Sequence, residues 1–83
     1  MDKTPKREIN AREQSASVLA AAVRARIVVT RKEQGLTAAA VAQQIGLSRP
    51  FYTQLERGMR RVSMVRFLMI CDVFKVNPGE MLK

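Results

Sequence analysis

The chain has 83 residues, of which 47% are hydrophobic, and sets 15 Lys or Arg against 7 Asp or Glu, for a net charge of +8. That length suits one small domain, and the apolar content excludes disorder along the whole chain. A lone cysteine, Cys71, and the lack of histidine exclude an internal disulfide and the usual zinc and general-base constellations, so neither metal nor cofactor is expected and the chain does not read as an enzyme. The positive surplus favours a polyanionic partner, nucleic acid before an anionic membrane surface, over a merely soluble basic protein. No run approaches the roughly 18 apolar residues of a membrane span. Val18–Val23 is short and is followed by Arg24 and Arg26, which fits a signal peptide poorly. A cytoplasmic location is the resulting expectation.

Residues 1–16 are polar and read as a tail or a weakly basic arm, with Lys3, Lys6, Arg7 and Arg12 against Asp2, Glu8 and Glu13. Thr4-Pro5 offers a short helix start within it. The domain proper is expected over 17–83. Leu19, Val23 and Ile27 recur at spacing four and, with Ala20–Ala22, predict a first helix from about Ser17 to Gln34, ended by Gly35. Thr37 caps a second helix to about Gln44 that buries Val41 and Ile45. Gly46 turns the chain and Leu47 points inward. Ser48 caps a third helix, about Arg49–Arg57, that carries Pro50 in its first turn and buries Tyr52 and Leu55. After Gly58 and a basic loop, Ser63 caps a fourth helix to Phe74, with Met64, Phe67, Leu68, Cys71 and Phe74 as its inward stripe. Asn77-Pro78 opens a last helical turn that docks Met81 and Leu82. No strand pattern appears, so the expected class is all-α.

The corner between the second and third helices carries the functional signal. Ala42 is small where two helices joined by a three-residue turn must approach closely. Gly46 supplies a backbone conformation that a Cβ resists, Leu47 plugs the corner, and Ser48 restarts the chain as a helix. Small residue, glycine, apolar plug and capped second helix is the helix-turn-helix pattern, against the alternative of an ordinary helical hairpin.

These residues also carry a resemblance. "GLT" at Gly35–Thr37, "VAQQIGLS" at Val41–Ser48, "QLERG" at Gln54–Gly58 and the spacing to "KVNPGEML" resemble the Cro/C1-type (Xre-like) helix-turn-helix regulators over about Val23–Leu82, with no gap. The resemblance implies a compact five-helix, lambda-repressor-like domain that binds double-stranded operator DNA as a homodimer and regulates transcription, commonly as a repressor. A bacterial or phage-type, nucleoid-associated setting goes with it. It implies that Arg31 pairs with Glu56, which a carboxylate beside a corner core would need. It places the base readers of the third helix at Arg49, Pro50, Thr53 and Gln54. Arg49 suits guanine O6/N7 and Gln54 suits adenine N6/N7, while Thr53 and Phe51 suit a thymine methyl. Arg57, Arg60 and Arg61 suit phosphates, as do free N–H groups at the helix starts around Thr37, Ala38 and Ser48. For each of these, a solvated helix face is the plain alternative.

Four positions depart from the family pattern: Ala38 replaces a glutamine, Tyr52 an aliphatic residue, Val62 a proline and Lys75 a glycine. Tyr52 then needs a partner or water for its hydroxyl, and Lys75 a strained left-handed backbone. Val28, Val29, Val65 and Met69 are apolar where relatives are often polar, which suggests a protein interface or a thicker core. The competing reading is an antitoxin-like protein-interaction module on the same fold.

Overall fold

The computed structural model describes residues 6–83, with side chains from residue 10 onward. It holds helices α1 (Lys6–Glu33), α2 (Ala38–Gln44), α3 (Arg49–Glu56), α4 (Met64–Phe74) and α5 (Pro78–Met81), and no strand among the described residues. The Thr4-Pro5 helix start lies outside those residues.

The helix ends follow one local plan. Thr37, Ser48, Ser63 and Asn77 each accept a hydrogen bond from an N–H of the helix they precede: Ala40 at 3.0 Å, Phe51 at 3.3 Å, Arg66 at 3.1 Å and Gly79 at 2.8 Å. Four helices close with the same paired backbone bonds, in which the residue after a left-handed one reaches back five positions. Leu36 donates to the Arg31 carbonyl, Leu47 to Ala42, Met59 to Gln54 and Val76 to Cys71, at 2.9–3.1 Å. The left-handed residue is Gly35, Gly46 or Gly58 in the first three and Lys75, at φ 57°, in the fourth. Lys75 thus takes up the strained conformation expected where a glycine is usual.

The core gathers Ile27 of α1, Val41, Ala42 and Ile45 around α2, Tyr52 of α3, Phe67, Ile70, Cys71 and Phe74 of α4, and Met81 of α5. Leu55 is also buried, and Leu47 packs against the core half-buried. Hydrogen bonds from Arg26 to the Met81 carbonyl and from Gln34 to the Phe74 carbonyl, both 2.8 Å, tie the chain's C-terminal end to α1. Burial in this core raises the Cys71 thiol pKa, keeping it protonated and inert.

Three expectations are corrected. The first helix starts at Lys6, not Ser17, because Lys6–Ala16 holds helix-forming residues and no glycine or proline, although it lacks apolar periodicity. The inward stripe of α4 is Phe67, Ile70, Cys71 and Phe74; Met64 and Leu68 are exposed. Apolar residues nearly encircle α4, so its pattern fits two faces, and only packing chooses between them. Leu82 is exposed beyond the docked Met81, and Leu19 is exposed because the body ends below it.

Candidate nucleic-acid interface

The corner sets the direction of α3. Ala42 is almost wholly buried, and its carbonyl accepts from Leu47 at 2.9 Å, so the turn folds directly onto it. A Cβ added at Gly46 would meet nothing within 4 Å, so the glycine is required for its φ of +73° rather than for space. Tyr52 and Leu55 face inward. Arg49, Pro50, Thr53 and Gln54 therefore lie on the outward face, where they line one shallow concavity with Arg57 and Met59. Met59 was not expected there; it follows the helix end, and no sequence pattern marks it.

Behind this face Arg31 grips Glu56 in a two-pronged ion pair. Nε to Oε2 is 2.7 Å and Nη2 to Oε1 is 3.1 Å, and a third bond runs to the Leu36 carbonyl at 3.0 Å. The two side chains are 12% and 9% exposed, so the pair is nearly dry, and it joins the end of α1 to the end of α3. The hydrogen bond to Glu56 raises the Arg31 pKa further. The Tyr52 hydroxyl is buried beside the pair without a well-formed hydrogen bond. Burial first, then the Glu56 carboxylate, drives its pKa far above the ordinary phenol value, and Arg31 offsets part of the rise. The partner that Tyr52 needs is thus only an electrostatic neighbour.

Charge on the outer side is concentrated. The ion pairs among the described residues are Arg31–Glu56 and Glu80–Lys83, leaving Arg49, Arg57, Arg60 and Arg66 around α3 without an acidic partner, as they do Arg61, which lines a separate groove beside α1. Arg60 donates to the Gln54 side-chain carbonyl, and its guanidinium lies 4.5 Å from the centre of the Phe51 ring. The Arg66 guanidinium lies 5.0 Å from the same ring. Phe51 is thus half-buried with two cations against its ring rather than open. Gln54 keeps its NH2 donors while sharing its acceptor oxygen with Arg60. Arg66 went unnoticed in the sequence, since only the fold brings the start of α4 beside α3.

The hydroxyls of Thr37 and Ser48 are engaged in capping, while Ala38 is half-buried at the start of α2. Val29, Val65 and Met69 are exposed and Val28 is half-buried, so the first three do not thicken the core. No group of metal-ligating side chains occurs among the described residues, and no helix there is long and apolar enough to cross a membrane.

Comparison with known proteins agrees with this fold. A helix-turn-helix family model matches residues 30–81. Among solved structures, the chain is similar to the clp gene regulator ClgR from C. glutamicum, with a TM-score of 0.71 and 25% identity over 77% of this chain and 83% of that one. Comparison with curated proteins gives no match. The matched segment holds the whole corner, the Arg31–Glu56 pair and the outward face of α3, and the chain belongs to the Cro/C1-type helix-turn-helix family of DNA-binding regulators.

Proposed function

We propose that this chain is a sequence-specific, double-stranded DNA-binding transcriptional regulator that acts as a homodimer, with α3 entering the major groove. One observation carries the reading. The buried corner holds α3 so that Arg49, Pro50, Thr53 and Gln54 share an outward face, ringed by arginines that have no acidic partner among the described residues. Arg49 pairs with guanine O6/N7, which is worth about 1–3 kcal/mol of discrimination against other bases. Gln54 donates to a base edge from the amide that Arg60 orients, and Thr53 and Pro50 meet a thymine methyl. Phe51 supports this face chiefly as the ring on which Arg60 and Arg66 lie. Arg57, Arg60 and Arg61 hold phosphates, joined by the backbone N–H groups around Thr37, Ala38 and Ser48. Residues 10–16, the outer turns of α1, project from this domain as a helical arm.

Selecting bound duplexes from a random pool tests the proposal. The expected product is an inverted repeat with half-sites about 10 base pairs apart, bound more weakly as salt rises. Absence of any enriched sequence, or binding indifferent to salt, contradicts it. A second reading, a protein-holding module, is favoured by exposed Val65 and Met69, one turn apart on α4. It predicts a tight partner that Val65→Asp releases.

A further inference from the structure

The N-terminal half of α1 stands away from the body. Residues 10–21 are exposed, whereas Val23 and Ile27 on the same helix dock into the core. At 28 residues α1 is about 42 Å long, against a molecule measuring 46 × 24 × 18 Å. The stripe that docks Ile27 and Val23 continues outward as Ala20, Leu19 and Ala16 without anything against it. Beside it a groove of about 800 Å³ runs down to Met64 and Leu82. Leu19, Met64 and Leu82 leave 63%, 67% and 55% of their surface open there. A dozen helical residues without tertiary support are marginal in water, so this segment calls for a cover.

We infer that the cover is a second copy of this chain, laid antiparallel along the outer half of α1. The charges on the stripe identify it. Glu13 and Arg24 lie about three helical turns apart on one face, both line the groove, and neither has an ion-pair partner among the described residues. A twofold axis crossing α1 between residues 18 and 19 sets Glu13 against the partner's Arg24, and the reverse pairing follows by symmetry. Ala16, Ser17 and Ala20 are small enough to let the two helices close. Each copy's outer stripe then fills the other's groove over Leu19 and Met64. Arg24 is already placed for this: its guanidinium lies 2.9 Å from where a Cβ on Gly58 would stand, at the groove's edge. The surface is separate from Val65 and Met69, and the inference rests on the homodimer reading above, which left the dimer face unassigned.

Solution mass and sedimentation of the full chain test it, with thermal unfolding as a check on the fold. The wild type is expected as a dimer. Leu19→Asp, at an exposed position, is expected to leave folding intact and give a monomer. Glu13→Arg and Arg24→Glu each raise the dimer dissociation constant by about tenfold or more. The double variant recovers to within about threefold of the wild type, because it restores opposite charges. A wild type that is monomeric at every soluble concentration overturns the inference. So does a dimer indifferent to Leu19→Asp and to both reversals; if that dimer still selects a duplex, the surface assignment fails and the DNA-binding reading stands. Dimerisation through this face without duplex selection has the opposite meaning.

Discussion

The corner and the outer half of α1 are built on opposite terms. Around the corner every helix end is capped by a side chain or by the paired backbone bonds, and Val41, Ala42, Tyr52 and Leu55 are almost fully enclosed. The outer half of α1 has none of this; between residues 10 and 21 it offers only helix-forming side chains and an uncovered stripe. The contrast teaches that the direction of α3 is held by buried contacts that solvent cannot replace, while the projecting helix depends on what covers it.

The sharpest way to break the contrast is to cut the tie behind α3. Glu56→Ala or Arg31→Ala should cost about 3 kcal/mol, because either leaves a nearly dry charge unpaired. Chemical denaturation measures the loss, and a cost near zero would show that the pair does not hold the corner. Raising the pH loads the same spot. The native state keeps the Tyr52 proton above 10.0, the ordinary value at which the unfolded chain loses it. Beyond that pH the unfolded state binds fewer protons, so stability should fall by about 1.4 kcal/mol per pH unit. The buried Cys71 thiol adds a loss of the same sign from about its ordinary value of 9.0. Tyr52→Phe should flatten the Tyr52 part of the decline.

Smaller effects sharpen the picture. Gly46→Ala should cost roughly 1–2 kcal/mol through backbone strain alone, since space for the Cβ is free. Lys75→Gly, at a left-handed site of the same kind, should instead stabilise by about 0.5–1 kcal/mol. Equal signs in calorimetry would contradict the common geometry. Smallest is Ala11→Gly in the outer half of α1. It should lower helix content by circular dichroism yet shift global stability by less than about 0.5 kcal/mol at dilute, monomeric concentration. A large global shift there would mean that the outer half is part of the core unit.

Much of this was legible before any coordinates. Thr37, Ser48, Ser63 and Asn77 announce their helices because capping is a local event, and Gly46 with Leu47 announces the turn. The outward face of α3 follows from period and from the inward Tyr52 and Leu55. The Arg31–Glu56 pair came through family resemblance, since spacing across 25 residues fixes no contact. The face of α4 was misread because Met64, Leu68 and Ile70 are chemically equivalent guesses on a helix apolar nearly all round. The Phe51, Arg60 and Arg66 cluster was out of reach, as it joins two helices and a loop that meet only in the fold. The early start of α1 was missed because a polar helix without an apolar period looks like a tail.

The central claim is that the outer face of α3 reads base pairs. Its most direct test compares wild type with Arg49→Ala on the selected duplex and on every single base-pair substitution of it. The account predicts that Arg49→Ala loses discrimination at one guanine-bearing position in each half-site, by about 1–3 kcal/mol, while the profile elsewhere is kept. A uniformly weakened profile, or one identical to wild type, would contradict it.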